Sequence, residues 1–407
     1  MSSAPLTAGV HGAEVHGADV TDTPGGGDTR SILNAAATLT RLGGSLMAPE
    51  VIAAMAKAAT RYVDLPAEYV RVGARLAELT GNEAATVTAG AAAALTLTVA
   101  SAITGPSPVD LKVFPWVPAH LPDRVVMLAA QRNEYDYAVE MLGVTIVEAQ
   151  ATAPSLRAAL AGDRVACVLW FAGTQYPAPG LTLAEIVEIA DETGIPVIVD
   201  AAAQVPSISA FSDYTTGAGA AAAIFSGGKG IGGPQTTGFV MGRADLVEGV
   251  RAHASPNHGV GRGMKVGKEE LAGALAAVER VMALDETELL AGYERVVEGW
   301  ITGLADLVDV ADRDLTDLHV TNGSTAAPLD SVERTYPSEA GQPHGRAEVT
   351  VAPGGQSGEQ LAALLWEGDP RVAVLVTGER SISLNPQPLQ PGGEIAVLAA
   401  VRAALGR

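Results

Sequence analysis

Two stretches carry residues able to do chemistry together: Asp200-Ala-Ala-Ala-Gln204 and Ser226-Gly-Gly-Lys229-Gly-Ile-Gly-Gly-Pro234. Ahead of the first runs Pro196-Val-Ile-Val199, an all-apolar segment of the kind buried on both faces of a parallel sheet, and it ends in a carboxylate. A second apolar run, Ala221 to Phe225, leads to a lysine set among five glycines. No bulky neighbour covers that amine, so a reactant can approach it, and a desolvated amine is the usual nucleophile for Schiff-base formation. An aspartate closing one strand and a lysine closing another form the pair that pyridoxal phosphate (PLP) needs. The lysine holds the aldehyde, and the aspartate holds the pyridinium proton so that the ring stays an electron sink. A phosphate loop of the form G-x-x-x-x-G-K-[ST] is excluded, because Ala223 and Gly230 stand where Gly and Ser or Thr are required. A tight turn with a solvated lysine remains open on this stretch alone.

Three segments bear on that choice. The run Phe225-Ser-Gly-Gly-Lys-Gly-Ile-Gly-Gly-Pro-Gln-Thr-Thr-Gly-Phe-Val-Met-Gly242 resembles the lysine segment of the selenocysteine synthase (seryl-tRNA selenium transferase) family of type I PLP enzymes, which also holds the D-glucosaminate-6-phosphate ammonia-lyase-like proteins. Asn34-Ala-Ala-Ala-Thr-Leu-Thr-Arg-Leu-Gly-Gly-Ser45 and Met264-Lys-Val-Gly-Lys-Glu-Glu270 resemble the ammonia-lyase-like branch more closely. The resemblance implies a type I PLP transferase fold: an α/β chain with a large, mostly parallel-sheet domain and a smaller C-terminal α+β domain. It further implies a Schiff base on Lys229 and Ala202 against the ring face, with Gln131 near the ring where relatives often carry histidine. Gln204 joins them as a cofactor contact. It also implies a homodimer or larger assembly with sites at the subunit boundary.

The elements that must position these groups follow from the chain pattern. Ala84–Thr88 reads as a strand, and Ala89-Gly90-Ala91-Ala92 opens a helix reaching Ile103. Strand, glycine and helix start present backbone N–H groups and a positive helix end to a phosphate, about 140 residues ahead of the lysine. The phosphate is therefore assigned to Gly90, Ala91, Ala92 and Ser226. Strands at Arg124–Leu128, Val144–Glu148, Val165–Phe171 and Phe239–Met241 alternate with helices and predict a parallel sheet with right-handed crossovers. Helices are expected at 49–59, 69–79, 155–161 and 183–193, with a long helical region from Lys268 to about Ala305. Past Leu307 short segments follow: strands at Leu318–Thr321, Ala347–Val351, Val372–Val376 and Ser381–Leu384, and helices at Gly358–Leu365 and Gly393–Leu405. The expected organisation is a flexible tail at 1–30, a segment at 31–46 over the active site, a large PLP-binding domain at 47–285 and a small domain at 286–407.

Composition narrows the partners. The chain has 407 residues and a formal charge of −20, with 26 basic against 46 acidic residues. Nucleic-acid binding relies on Lys and Arg neutralising phosphates, so an RNA substrate is not expected. Cys167 is the only cysteine, which rules out an intrachain disulfide and suits a reducing compartment. No apolar run reaches spanning length and Met1 to Arg30 has no apolar core, so a cytoplasmic protein is expected. Few cations are available, and five basic side chains cluster in His253 to Lys268 among glycines. That clustering points to an anionic substrate bound by Arg262 and Lys265. Asn34, Thr38, Arg41, Arg132 and Arg380 are further substrate candidates, with solvated loop positions as the alternative for each arginine. No metal site is indicated.

The resulting expectation is a PLP-dependent lyase acting at Cα/Cβ of an anionic amino acid or amino-sugar acid. Racemisation or aldol-type cleavage shares the same first carbanion, and a non-catalytic scaffold of the same fold is the alternative outside enzymes.

Overall fold

The computed structural model describes residues 30–107, 110–174, 176, 180–308 and 327–406. The expected tail before Arg30 and the expected strand Leu318–Thr321 lie outside them. Strands in chain order are β1 (Ile32–Asn34), β2 (Ala84–Thr88), β3 (Arg124–Leu128), β4 (Thr145–Ala149), β5 (Val165–Phe171), β6 (Val197–Asp200), β7 (Ala222–Ser226), β8 (Gly238–Gly242), β9 (Leu329–Thr335), β10 (Arg346–Val351), β11 (Arg371–Ala373), β12 (Leu375–Val376) and β13 (Ser381–Leu384). The helices are α1 (Pro49–Ala59), α2 (Leu65–Thr80), α3 (Ala91–Thr104), α4 (Tyr137–Glu140), α5 (Ala153–Leu160), α6 (Leu183–Asp191), α7 (Ala210–Ser212), α8 (Ala244–His253), α9 (Lys268–Met282), α10 (Glu286–Leu304), α11 (Gly358–Glu367) and α12 (Gly393–Ala404).

Contacts divide the chain into a large unit, 43–286 with 339–342, and a small unit holding the described parts of 1–42, 287–338 and 343–407. The large unit is built on one seven-stranded sheet, ordered β2-β8-β7-β6-β5-β3-β4. Its pairings are parallel except those of β8, which runs antiparallel to both β2 and β7. The strand period of two decides where the core lies. Val126, Leu128, Val168, Val199, Phe225 and Phe239 pack on one face with α1, α2, α6 and α9. Their chain neighbours Val125, Met127, Cys167, Leu169, Ile224 and Val240 pack on the other with α3 and α8. The strands read as unbroken apolar runs because both faces are covered. Cys167 is sealed inside, and burial pushes its thiol up to about 12. No described helix is long and apolar enough to cross a membrane.

α3 owes its close seat on α8 to Gly249, where a Cβ would fall 2.1 Å from Ser101 Oγ. Ser101 in turn donates to the Leu246 carbonyl at 2.8 Å. α2 begins on an Asp64 cap and ends on Gly81 at φ 68°, the left-handed stop that glycine adopts without strain.

The small unit holds a four-stranded antiparallel sheet ordered β12-β13-β10-β9 and a two-stranded parallel pair, β1 with β11. Trp300, Leu361, Ile382 and Val397 lie in its core, and Trp300 Nε1 donates to the Glu394 carbonyl at 3.0 Å. Several expected elements differ here. The single strand expected at Val372–Val376 breaks at Val374, β11 pairing with β1 and β12 with β13. Residues 31–46, expected as a segment over the active site, contribute β1. The long helix from Lys268 stops at Met282, and α10 starts at Glu286.

Candidate active site

One hydrogen-bonded row organises the site. At the carboxyl end of β2, Thr88 pairs with Gly238 of β8, and Gly238 pairs with Ser226 at the end of β7. Just past Thr88, Gly90 stands at φ 89° as the N-cap of α3, a backbone state open to glycine. The first helical bond runs from Ala94 N–H to the Gly90 carbonyl at 3.0 Å. The N–H groups of Ala91, Ala92 and Ala93 therefore precede the helix's own ladder, and no side chain caps them. Ser226 adds a hydroxyl that makes no hydrogen bond among the described residues. The chains approach so closely here that a Cβ on Gly238 would lie 2.4 Å from the Gly90 carbonyl carbon and 2.7 Å from Ala91 N. Gly238→Ala should thus displace the start of α3, costing roughly 1–3 kcal/mol in stability and weakening PLP retention. Thermal melting and dialysis against phosphate, with and without PLP, check both effects.

Asp200 ends β6, paired with Ile224 of β7 and Phe171 of β5. Its side chain is buried, with 8% of the residue exposed. Oδ1 accepts from Ala202 N–H at 3.0 Å, and Oδ2 takes no hydrogen bond among the described residues. Lys229 follows β7 by three residues in a turn that is built rather than loose. Gly227 N–H donates to Thr237 O at 2.8 Å, Gly233 N–H to Gly227 O at 2.8 Å, and Gly232 N–H to Lys229 O at 2.9 Å. Residues 43–46 lie against the same turn. Ser45 donates through N and Oγ to the Gly228 carbonyl, at 2.9 and 3.0 Å, and a Cβ on Gly44 would sit 2.3 Å from that oxygen.

The electrostatics push both groups towards neutrality. Burial raises the Asp200 carboxyl, against the Ala202 hydrogen bond and the Lys229 charge. Burial lowers the half-buried Lys229 amine, against the charges of Asp200 and Glu339. A neutral amine at ordinary pH is the nucleophilic form.

The remaining candidates separate. Gln131 is fully buried, and its amide is committed to β5: Nε2 donates to Phe171 O at 2.9 Å and Oε1 accepts from Phe171 N–H at 3.1 Å. That removes it from the ring contacts expected of it. Gln204 Nε2 donates to Ala340 O at 2.8 Å, so its amide holds backbone rather than cofactor. Arg132 is engaged by Asp136, Glu148 and Glu140, which removes it from the anion-binding set. Arg380, in the small unit, bonds the Val351 carbonyl and Asp330, and is removed for the same reason. In the small unit, too, Asn34 closes a local turn, accepting from Ala36 N–H at 3.0 Å and donating to Ala37 O at 2.8 Å. Thr38 there is buried and Arg41 exposed.

Arg262 and Lys265 are exposed, and neither side chain makes an ion pair or hydrogen bond among the described residues. Between them Met264 lines an open cavity of about 270 Å³ with Ala92, Ala93, Thr96, Tyr135 and Ala138. The loop is less free than its glycines suggest. A Cβ on Gly259 would lie 2.7 Å from His253 Cα, and one on Gly261 2.6 Å from Leu97 Cδ2, so both serve close packing. A larger cavity of about 350 Å³ beside Tyr69 and Arg251 includes none of Asp200, Ser226 or Lys229.

Two residues were not foreseen. Burial raises the Tyr135 phenol, and the Asp200 charge, near enough to be felt, pushes it the same way. Glu339, from a segment over a hundred residues downstream, is near enough for its charge to act on the Lys229 amine, against the desolvation.

This arrangement fits PLP on its own geometry. The helix-end N–H groups and the Ser226 hydroxyl suit the phosphate, Asp200 Oδ2 suits the pyridinium proton, and Lys229 suits the aldehyde. Fold and site together define a type I PLP-dependent enzyme. Comparison with known proteins carries this further. No family model matches the chain. It is 30% identical over 388 residues to 5'-C-glycyluridine monooxygenase-decarboxylase from a Streptomyces species, covering 90% of this chain and 88% of that one. It is 30% identical over 280 residues to the D-glucosaminate-6-phosphate ammonia lyase of Salmonella typhimurium, covering 66% and 72%. The solved structure of a D-glucosaminate-6-phosphate ammonia-lyase superposes with a TM-score of 0.75 at 26% identity, over 93% of this chain and 96% of that one. Serine palmitoyltransferase from Sphingomonas wittichii shares the fold, with a TM-score of 0.56 at 15% identity over 91% and 86%. The chain belongs to the D-glucosaminate-6-phosphate ammonia-lyase-like family of type I PLP enzymes. Its cofactor is PLP, and its chemistry is of the lyase class.

Proposed function

We propose that the protein is a PLP-dependent lyase that eliminates a group from Cα/Cβ of a small anionic amino-acid-like substrate, an amino-sugar acid above all. The observation that carries this reading is the pairing of a desolvated Lys229 with a buried Asp200 at neighbouring strand ends. Bound PLP supplies the electron sink for a bond broken at Cα. The chain's residues do the rest. Asp200 Oδ2 holds the proton of the ring nitrogen, and Ala202 N–H fixes that carboxylate by its bond to Oδ1. Ser226 and the N–H groups of Ala91, Ala92 and Ala93 hold the phosphate; the Gly90 N–H, expected among them, is taken by the Thr88 carbonyl at 2.9 Å. The Lys229 amine, with its basicity lowered, takes and returns the proton at Cα.

Arg262 and Lys265 are assigned to the substrate's anionic group, because they stand unpaired beside the cavity that reaches the α3 N-terminus. Arg262→Gln should lower kcat/KM about tenfold or more, since about 1.4 kcal/mol is one factor of ten, with PLP content unchanged. Steady-state kinetics alongside cofactor absorbance checks this. Normal kcat/KM in a dissociated assembly would give Arg262 a subunit-pairing role instead.

The resemblance to selenocysteine synthases rests on the lysine segment, and the charge of −20 argues against carrying an RNA substrate with it. A cytoplasmic homodimer is proposed, in keeping with a single buried cysteine.

A second reading follows from the relative that spans more of the chain, whose name gives decarboxylation with an oxygenase step. Screening amino-sugar acids and glycine-bearing substrates with the PLP-loaded protein separates the two. Ammonia and keto-acid release supports elimination; carbon dioxide release with oxygen uptake supports the second reading.

A further inference from the structure

The cavity of about 350 Å³ in the large unit includes none of the groups assigned to PLP or to substrate. Pro66, Tyr69 and Val70 of α2 supply one wall, and Glu248 and Arg251 of α8 with the segment 254–257 supply the other. α2 comes close to the edge strand β2 because residue 73 is glycine. A Cβ there would lie 2.2 Å from the Ala85 carbonyl oxygen and 3.7 Å from Arg251 Nη1. The guanidinium thus sits against α2, half-buried, and the Arg251 side chain makes no ion pair or hydrogen bond among the described residues. Acidic side chains outnumber basic ones by 46 to 26 in this chain, so an arginine held at a cavity wall without a carboxylate calls for a partner from solution. Ser255 lines the same cavity at 6% exposure, and its hydroxyl also makes no hydrogen bond among the described residues. A buried hydroxyl left so costs free energy that a ligand oxygen would recover. Asn257 Nδ2 donates to the Arg251 carbonyl at 3.0 Å and fixes the backbone under the guanidinium. The Tyr69 hydroxyl is already used on the Val266 carbonyl at 3.3 Å, which leaves the tyrosine ring as apolar wall.

We propose that this cavity is an accessory binding site for a free α-amino acid with an apolar side chain. A guanidinium and a hydroxyl together match the two oxygens of a carboxylate. A phosphate dianion would meet one cation only, with the Glu248 carboxylate on the same wall. Glu248 is exposed and has no side-chain partner among the described residues. It stands three residues before Arg251 on α8, hence on the same face of the helix. An ammonium on the carbon next to the bound carboxylate falls to it. Pro66, Tyr69, Val70 and Pro256 leave the apolar surface for the side chain. The volume lies at the small end of ligand sites, which suits one amino acid rather than a peptide. This site is separate from Lys229 and stands whether or not the PLP reading holds.

The probe is L-leucine, titrated calorimetrically into the PLP-loaded full chain after borohydride treatment, so that its amine cannot exchange at Lys229. One leucine should bind per chain, with a Kd of about 1 mM or tighter. Arg251→Gln should weaken that binding roughly tenfold or more. Glu248→Gln should weaken L-leucine while leaving isocaproate, which lacks the ammonium, as it was. Val70 is 55% exposed, so Val70→Asp spares the core and serves should Arg251→Gln fail to fold. Its charge against the apolar wall should weaken L-leucine by a similar factor. No heat from L-leucine up to about 10 mM, or an L-leucine affinity unmoved in any of the three variants, overturns the inference.

Discussion

Lys229→Ala should leave the fold and the bound phosphate contacts in place yet reduce turnover on the order of 10³-fold or more, the scale seen when a covalent nucleophile is removed. Lys229 stands in a turn closed by Gly227, Gly232 and Gly233 and by Thr237, and strand β7 aims it. Borohydride reduction and peptide mapping of the parent protein should place the pyridoxyl group on the peptide that carries Lys229. A label on any other lysine would sink the assignment. The Lys229→Ala protein should show no covalent label and release PLP on dialysis.

Asp200 gives two effects of opposite sign. The loss of a charge-assisted bond to the ring nitrogen is worth about 1.5–3 kcal/mol, so Asp200→Asn should lower turnover roughly 10- to 150-fold. The cofactor-free protein should become more stable. Burial raises the folded-state carboxyl above the ordinary aspartate value of about 3.8, so the native state binds that proton more tightly than the unfolded chain. Stability therefore falls as pH rises from about 3.8 through the raised folded value. Asn removes that loss. Melting of both proteins without PLP across acidic to neutral pH checks it. A parent that gains stability over this window relative to Asp200→Asn would contradict the desolvated carboxyl.

The large sheet was legible because its strands are buried on two faces. Apolar runs such as Val165–Phe171 and Arg124–Leu128 have few other uses, and their stated bounds match the strands. The small unit was less so. β9, with the sequence LDSVERT, lies at a sheet edge and is half exposed, so it shows no apolar alternation. β1 is a three-residue strand that exists through its partner β11. Charged side chains were hardest to place. Arg132 has one carboxylate partner four residues on, in Asp136, but Glu148 meets it only once β3 and β4 are paired. Buried amides mislead in the same way, since Gln131 and Gln204 look like site residues until their backbone partners are known. Glu339 gives no local signal, because its position depends on Gln204 and Gln342 finding carbonyls far along the chain.

β8 also sets the order in which the protein can be made. β2, complete at Thr88, has its sheet partner in β8, which ends at Gly242. A chain emerging from the ribosome thus carries β2 and the start of α3 for about 150 residues before β8 closes over them. Until then the phosphate row is open and β2 lacks a strand partner on either side. Lys229 reaches its place within the same stretch of synthesis, and Glu339 arrives about another hundred residues later. Pairing over such separations is slow, so cofactor supplied during translation meets a pocket whose lysine turn forms first and whose second carboxylate is added last.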